Sequence, residues 1–310
     1  MIKKLLAAIV LSVTASATLA VPFGSHSVLV IEDGTGKVLL EKNADQVVSI
    51  ASLTKLMTAM VVLDAGQDMN ELIAIDRSDV DVVKHSTSRV PVGGRISRAD
   101  VLSLALMSSD NRAAASLART FQGGAEGFKA AVRAKIAALN MTNTVIEEPT
   151  GLSPNNKSTA QDLVKMAAAA STYPVIAQMT TETSDLINIS GRNVEYRNTN
   201  RLVGASGWDI GLSKTGYTQE AGKCLIMRIK SAGRNATLVL LNAGASSTRI
   251  MDALNIRRFI SGEQAPVMKV RARHRPRTAL TARHSAPIIK AGLRTRDKAK
   301  STKQQRRRRA

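Results

Sequence analysis

A serine and a lysine stand three residues apart where an apolar stretch begins, at Ser52 and Lys55. Residues at this spacing share one face of a helix, so the hydroxyl of Ser52 can reach the amine of Lys55. The N-terminus of a helix offers free backbone N–H groups and positive potential, which favour an oxyanion. A lysine that is desolvated and close to other cations has a lowered pKa, and its neutral amine can take the serine proton. The pair therefore predicts a nucleophilic serine whose general base is a lysine.

Histidine and cysteine offer little alternative chemistry. His274 and His284 lie in a basic C-terminal segment, His26 lies near the start, and His85 has no second ligand at metal spacing. A zinc site and a Ser-His-Asp triad are both disfavoured on these grounds, and no G-x-S-x-G, P-loop or dinucleotide motif is present. The single cysteine, Cys224, lies in an apolar run and is predicted to be a buried strand residue. We expect no metal and no cofactor.

Two further motifs give the Ser-Lys pair weight. Alone, a Ser-x-x-Lys pattern is weak, because chance supplies roughly one or two in a chain of this composition. A Ser-Asp-Asn motif begins at Ser109, and a Lys-Thr-Gly motif begins at Lys214 on a predicted strand. Each motif also has a purely structural interpretation, as a helix cap, a helix boundary or a hairpin turn. Because all three motifs occur together, in a chain without a suitable histidine, a catalytic site is favoured over these structural interpretations. A second Ser-x-Asn match, at Ser153, is interpreted as a turn.

The elements that must position these residues follow from hydrophobic patterning. A turn signal at 33–36 between two strand-like runs predicts a β-hairpin. The helix from Ser52 to Ala65 is apolar nearly all round, so it is predicted to be central and buried. An α/β (α+β) fold follows, in which an antiparallel sheet from both chain ends packs against helices from the middle of the chain. The other predicted elements are helices at 97–107, 111–119, 127–139, 159–170 and 249–260 and strands at 27–32, 37–41, 211–214, 224–229 and 237–241.

The first twenty residues have the pattern of a cleaved secretory signal. Two lysines precede an apolar run of about nine residues, which is too short to span a bilayer. Small residues follow and permit cleavage after Ala17 or Ala20. We therefore expect an exported, periplasmic protein without a transmembrane anchor, and an uncleaved anchor is the less favoured alternative.

Positive charge is concentrated at the C-terminus. The formal net charge is +20, yet 16 Lys and Arg residues and a single acid fall within 266–310. The other 28 basic and 23 acidic residues nearly balance, so the overall charge describes the tail and not the body. The scant apolar content of the tail predicts disorder. We expect a signal peptide at 1–20, one catalytic domain at 21–264 and a basic tail at 265–310.

The three motifs, in this order, resemble those of the low-molecular-mass penicillin-binding proteins, which are serine D-alanyl-D-alanine peptidases. The resemblance covers about Ser25 to Gly262 and implies the fold shared by serine β-lactamases and DD-peptidases. Within the family, the likeness is greatest to periplasmic endopeptidases that cut peptide cross-links in peptidoglycan. Further stretches that look like this family are 51–58, 106–114, 148–152 and 197–200.

The resemblance implies a role for each residue of the first two motifs. Ser52 attacks the carbonyl of a D-alanyl peptide bond and forms an acyl-enzyme, and Lys55 is its general base. Ser109 relays the proton to the leaving amine, and Asn111 holds the substrate amide. Water then releases the product, and β-lactams are expected to act as inhibitors by trapping Ser52.

The third motif is expected to bind substrate. Lys214 and Thr215 suit a substrate carboxylate, because a cation and a hydroxyl both donate hydrogen bonds to it. Gly216 lacks a side chain, which leaves room for a peptide to lie along the strand edge. The backbone N–H groups of Tyr217 and Ser52 are expected to form the oxyanion hole.

Several alternatives stay open at this level. A D-alanyl-D-alanine carboxypeptidase, which trims pentapeptide stems, needs the same site. A class A β-lactamase needs a glutamate for deacylation, and Glu147 and Glu148 lie in a suitable region, but the sequence from Glu148 to Leu152 resembles the peptidases. A non-enzymatic tether is the alternative from another class, since the tail can bind anionic envelope polymers through salt-sensitive contacts. Aromatic residues make up only 3% of the chain, so no specific nucleic acid partner is expected.

Overall fold

The computed structural model describes residues 23–263, which form a five-stranded antiparallel sheet with helices packed against it. The predicted signal peptide at 1–20 and basic tail at 265–310 lie outside the described residues. The strands are β1 (Ser25–Glu32), β2 (Val38–Lys42), β3 (Val48–Ser49), β4 (Leu72–Ala74), β5 (Arg95–Ser97), β6 (Lys157–Ser158), β7 (Ser184–Ile189), β8 (Arg192–Arg197), β9 (Asp209–Thr218), β10 (Gly222–Ser231) and β11 (Arg234–Ala243). The helices are α1 (Thr54–Asp64), α2 (Arg98–Leu106), α3 (Asn111–Arg119), α4 (Gly124–Ala138), α5 (Ala160–Ala170), α6 (Pro174–Thr181) and α7 (Ser246–Ser261), with 3₁₀ turns at Ala51–Leu53 and Arg77–Asp79.

The main sheet joins the two ends of the described chain, which confirms the predicted fold class. Its strand order is β2-β1-β11-β10-β9, and every neighbouring pair is antiparallel. Successive side chains of a strand point to opposite faces. In β1, Leu29 belongs to the core shared with the middle helices, whereas Val28 and Val30 pack in a second core with Ile256 of α7. Both faces are therefore covered, and β9 forms one edge of the sheet.

Helix α1 is buried on all sides. Every residue from Thr54 to Val62 is buried, as the continuous apolar pattern predicted. The start of the element differs from the predicted helix at Ser52, because Ala51–Leu53 form a 3₁₀ turn and the α-helix begins at Thr54. Ser52 therefore lies in a tighter turn that leads into the helix.

A helix and a β-hairpin in the second half of the chain were missed by the sequence analysis. Helix α6 has a proline at its start and only eight residues, too few for a clear periodic pattern. Strands β7 and β8 form a hairpin about Ser190 and Gly191, which have φ of 49° and 86°. Positive φ at both central residues suits a two-residue hairpin turn. Helix α4 also begins earlier than predicted, at Gly124.

Gly151 lies against the backbone of the turn that carries Ser52. Its φ is +85°, and a Cβ there would lie 2.0 Å from the carbonyl oxygen of Ala51 and 2.7 Å from the nitrogen of Ser52. Ala51 itself has φ of 47°, a region that costs a residue with a Cβ about 1–2 kcal/mol. The close approach of two strained segments therefore fixes the position of Ser52.

Replacing this glycine is expected to be far more damaging than replacing a glycine with the same backbone angle elsewhere. Gly151→Ala adds a backbone clash to the conformational cost, so we expect a loss of at least about 3 kcal/mol in the free energy of unfolding. Gly191→Ala is the matched control, with φ of +86° and no atom within 4 Å of the added Cβ. We expect it to cost about 1–2 kcal/mol. Urea unfolding measures both, and equal losses would contradict the close-packing argument.

Candidate active site

The structure brings Ser52 and Lys55 into contact. The Nζ atom of Lys55 lies 2.9 Å from the Oγ atom of Ser52. The same amine lies 2.7 Å from the Oδ1 atom of Asn111 and 2.7 Å from the carbonyl oxygen of Thr150. These three oxygens match the three donors of an ammonium group, and a neutral amine can instead accept the Ser52 proton. Asn111 and Thr150 therefore hold the amine in place beside the Ser52 hydroxyl.

Burial changes the ionisation of this amine. Lys55 is 0% exposed, and desolvation lowers its pKa to about 8, although the charges of Glu148 and Asp110 act in the opposite direction. The amine thus titrates near neutral pH, where a general base must exchange protons.

A second lysine is buried close by. Lys214 is 1% exposed; desolvation, together with the charges of Lys55 and Arg249, lowers its pKa well below the ordinary value. Two buried amines that repel each other cannot both hold a proton cheaply. The surroundings therefore favour the neutral amine of Lys214. For Lys55 the cause is desolvation, and not the neighbouring cations that the sequence analysis invoked.

The Ser-Asp-Asn motif forms the connection between α2 and α3. Ser109 has a left-handed backbone with φ of 59°. This conformation is strained for a residue with a Cβ, and such strain is common at functional sites. Asp110 caps α3, because its carboxylate accepts hydrogen bonds from the N–H of Ala113 at 3.0 Å and the hydroxyl of Ser88 at 2.7 Å. The middle residue of the motif thus has a structural role, and Asn111 begins α3 with its side chain against Lys55.

Asn111 links this motif to the lysine and to a preceding loop. Its Oδ1 atom accepts from Lys55, while its Nδ2 atom donates to the hydroxyl of Ser86 at 2.9 Å. An amide nitrogen carries two protons, so one remains for a further acceptor. The side chain can therefore position Lys55 and still donate to a substrate carbonyl.

The Lys-Thr-Gly motif lies on β9, the edge strand next to the Ser52 turn. A Cβ at Gly216 would lie 3.1 Å from the nitrogen of Ser52 and 3.1 Å from the carbonyl oxygen of Ile50. The sequence analysis expected this glycine to leave room for substrate. The structure shows that it also allows β9 to lie close to the backbone of Ile50 and Ser52. Thr215 lies 2.7 Å from Thr199 through their hydroxyl oxygens. Tyr217, with 57% of its surface exposed, follows on the open side.

The loop after Pro149 is held by one carboxylate. Both oxygens of Glu148 accept hydrogen bonds, from the N–H groups of Thr150, Gly151 and Ser153 and from the side chains of Thr150 and Asn156. These bonds fix the Thr150 carbonyl that faces Lys55. A glutamate with both oxygens committed to its own loop is poorly suited to activating a deacylating water, which weighs against the β-lactamase alternative.

Three groups escaped the sequence analysis because none belongs to the three motifs, although Thr150 lies in the stretch 148–152 that resembles the family. The first two are the Thr150 carbonyl and the Ser86 hydroxyl. The third is Arg249 of α7, whose charge lowers the pKa of Lys214 and whose Nη1 atom donates to the Cys224 carbonyl at 3.0 Å. The Nε atom of Arg249 is buried without a hydrogen-bond partner among residues 23–263. The packing of α7 on the sheet brings Arg249 near Lys214, and the sequence carries no signal for this contact.

The residues set aside in the sequence analysis adjoin residues of the site: Cys224 pairs with Gly216 of β9, and His85 precedes Ser86. Cys224 is fully buried in β10, as predicted, and desolvation raises the pKa of its thiol to about 11. His85 is exposed in a loop. Within the described range, no three His, Cys, Asp or Glu side chains are grouped as metal ligands.

Comparison with known proteins shows where the chain belongs. The model of peptidase family S11, described as D-alanyl-D-alanine carboxypeptidase, matches residues 13–245. A D-alanyl-D-alanine endopeptidase of Pseudomonas aeruginosa is 45% identical over 251 residues, which cover 80% of this chain and 81% of that protein. A D-alanyl-D-alanine endopeptidase of Escherichia coli is 44% identical over 259 residues, covering 82% of this chain and 84% of that protein.

Solved structures agree with this assignment. The ampicillin-bound penicillin-binding protein D2 of Listeria monocytogenes has a TM-score of 0.66 and 27% identity, covering 77% of this chain and 97% of that chain. The Streptomyces K15 DD-transpeptidase, at 24% identity, shares the fold with a TM-score of 0.72 over 77% of this chain and 97% of that chain. Since the family model and both endopeptidases match most of its length, this chain belongs to peptidase family S11, the serine-type D-alanyl-D-alanine peptidases.

Proposed function

We propose that the protein is a D-alanyl-D-alanine endopeptidase that acts through an acyl-enzyme on Ser52. The observation that carries this proposal is the 2.9 Å contact between Ser52 and a buried lysine whose pKa is lowered to about 8. The neutral amine of Lys55 takes the hydroxyl proton while Oγ attacks the D-alanyl carbonyl carbon. The N–H groups of Ser52 and Tyr217 stabilise the oxyanion.

The intermediate then collapses and loses its amine. Ser109 passes the proton held by Lys55 to the leaving nitrogen, the C–N bond breaks, and the acyl group stays on Ser52. A water molecule attacks the ester, and its proton returns through the same groups, which frees the acid and restores the serine. Asn111 orients the acyl-side amide through its remaining N–H.

The leaving side of the substrate is assigned to the cations of β9 and α7. Lys214 and Thr215 bind the carboxylate next to the scissile bond, and Arg249 adds a third donor through its unpartnered Nε atom. A bound carboxylate would also restore the proton of Lys214, because an opposite charge favours the ammonium form. Substrate binding and the ionisation of the site are coupled in this way.

Endopeptidase action is proposed over carboxypeptidase action because of the relatives. The two proteins that match at 44–45% identity bear the endopeptidase name. The D-alanyl-D-alanine carboxypeptidase DacF of Bacillus subtilis is 29% identical, and this chain spans 59% of that protein. Carboxypeptidase action is the alternative. Both reactions use the same catalytic groups, and their substrates differ only in the group on the leaving side of the scissile bond.

Export to the periplasm belongs to the same proposal. The secretory pattern at 1–20 and a substrate in the cell-wall peptidoglycan both require it. The catalytic domain is assigned to 21–264. No helix in the range 23–263 is long and apolar enough to cross a bilayer. Binding of anionic envelope polymers by the segment 265–310 is a further hypothesis, tested by comparing envelope binding at low salt with and without that segment.

The acyl-enzyme is tested by intact-mass analysis after incubation with penicillin. We expect one covalent adduct on the wild type and none on Ser52→Ala, because the nucleophile is lost. Ser153→Ala, at the other Ser-x-Asn match, is the control and should keep the adduct. A folded wild type without an adduct, or an adduct on Ser52→Ala, would refute the proposed nucleophile.

The reaction itself is tested with peptidoglycan fragments. We expect the wild type to convert cross-linked muropeptide dimers into monomers and to do so faster than it removes D-alanine from pentapeptide monomers. Chromatography with mass spectrometry separates the products, and Ser52→Ala serves as the inactive control. Rapid release of D-alanine with dimers left intact would establish the carboxypeptidase alternative instead.

Acylation is expected to depend on pH through Lys55. The neutral amine is the base, so the second-order rate of acylation should rise with pH and level off above about 8. The neutral fraction, and with it the rate, grows about tenfold between pH 7 and pH 9 for such a group. Stopped-flow measurement with a fluorescent penicillin gives the profile, with Lys55→Arg as a slow, pH-independent control. A rate that falls over this range would contradict the assignment.

A further inference from the structure

Two segments contact the residues around Ser52, and we call the space between them the groove and the segments its walls. One wall is β9, which runs from Lys214 past Tyr217 and turns at Glu220 into β10. The other wall is a loop at 81–88, which is attached to the second motif at two points. Ser86 is hydrogen-bonded to Asn111, and Ser88 is hydrogen-bonded to Asp110. Both walls are thus anchored directly to groups of the site.

The loop is rigidly built around one carboxylate. Asp81 accepts hydrogen bonds from the N–H groups of Val83, Lys84 and Ser86 at 2.9–3.0 Å. This turn leaves Val82 and Val83 largely outside the fold, with 73% and 80% of their surface exposed. The internal bonding fixes the direction in which the loop presents its other side chains.

An ion pair connects the two walls. The Nζ atom of Lys84 lies 2.5 and 2.6 Å from the two carboxylate oxygens of Glu220. The hydrogen bond from Lys84 is the main cause of the lowered pKa of Glu220, whose side chain is exposed, so solvent screens this interaction. These residues are 136 positions apart in sequence. Their contact joins the loop at 81–88 to the turn between β9 and β10.

The proposed roles identify which end this is. The leaving side lies at Lys214 and Thr215, and the oxyanion lies at the N–H of Tyr217. The acyl side of the peptide must then continue along β9 toward Thr218 and Glu220. The ion pair therefore lies across the path of the residues that precede the scissile bond.

We propose that Lys84 and Glu220 form a strap across the acyl half of the groove and determine specificity for the length of the acyl-side peptide. Acyl groups that end before the strap bind with the ion pair closed. A longer peptide stem reaches β9 only while the pair is open, so the closed pair lowers the apparent affinity for it by the open fraction. This inference rests on the proposed function, because it uses the direction of the substrate on β9.

Physical considerations favour this role over a purely structural one. Ion pairs at the protein surface contribute little to folding because both partners are well solvated when apart. Such a pair is also screened by salt, which makes it a contact that opens readily. Its removal should therefore leave the fold intact and change access to the groove.

The experiment compares two substrates in four variants. The short substrate is an N-acetylated tripeptide ending in D-Ala-D-Ala, and the long substrate is a cross-linked muropeptide dimer with its disaccharides attached. The variants are Lys84→Ala, Glu220→Gln, the charge-reversed double variant Lys84→Glu with Glu220→Lys, and Lys129→Ala. The last is the control, since Lys129 forms an exposed ion pair with Glu126 on α4 at a similar distance of 2.9 Å.

We expect Lys84→Ala and Glu220→Gln to raise kcat/KM for the long substrate about fivefold, with a change below about twofold for the short one, as for a groove open roughly a fifth of the time. The charge-reversed variant should return to the wild-type ratio. Raising the salt concentration from 0.05 to 0.5 M should increase the wild-type ratio of long to short rates about as much as Lys84→Ala does. It should leave the ratio in Lys84→Ala unchanged.

An unchanged ratio in both single variants would overturn the strap, as would a parallel fall for both substrates or failure of the charge-reversed variant to restore the ratio. Acylation by penicillin is measured on every variant to separate these outcomes from failure of the proposed function. If the wild type forms no adduct, the proposed function fails. If all variants form the adduct normally and the ratio stays constant, only the strap fails.

Discussion

The site depends on the burial of one amine. Lys55 lies within a helix whose residues are buried on every side, and an ammonium group in that position loses its hydration. Three oxygen atoms from three separate segments replace the lost water: the Ser52 hydroxyl, the Asn111 amide and the Thr150 carbonyl. Each acceptor must be supplied by an element packed around α1. Three segments supply these acceptors: the 3₁₀ turn, the start of α3 and the loop after Pro149.

The same burial weakens the ammonium form, as the proposed role of Lys55 as general base requires. A solvated lysine is protonated at neutral pH and cannot act as a base, whereas desolvation lowers the pKa of Lys55 to about 8. The pKa of Lys214 is lowered as well, by desolvation and by the charges of Lys55 and Arg249. The protein therefore accepts a cluster of poorly solvated cations, and a bound anionic substrate would relieve their repulsion.

Close backbone approach is the second constraint on the site. Gly151 and Gly216 both lie against the turn that carries Ser52, and a Cβ at either would press on backbone atoms. Ala51 and Ser109 have left-handed backbones although both have a Cβ. Such conformations persist only where the surroundings determine them, and here they direct a hydroxyl toward a lysine. The loop at 81–88 is bound to Asn111 through Ser86.

The sequence by itself determined the local elements and the three motifs, because helix periodicity, strand alternation and turn chemistry act over a few residues. Helix α3 spans the predicted residues, and the fold class and the family follow from the order of elements and motifs. The hairpin of β7 and β8 was missed because its exposed face is too polar to mark a strand. Only the tertiary structure placed Thr150 beside Lys55, Ser86 beside Asn111 and Arg249 near Lys214. The two members of each pair are distant in sequence. Hydrogen bonds and charge interactions between them arise only when the packed core brings their segments together.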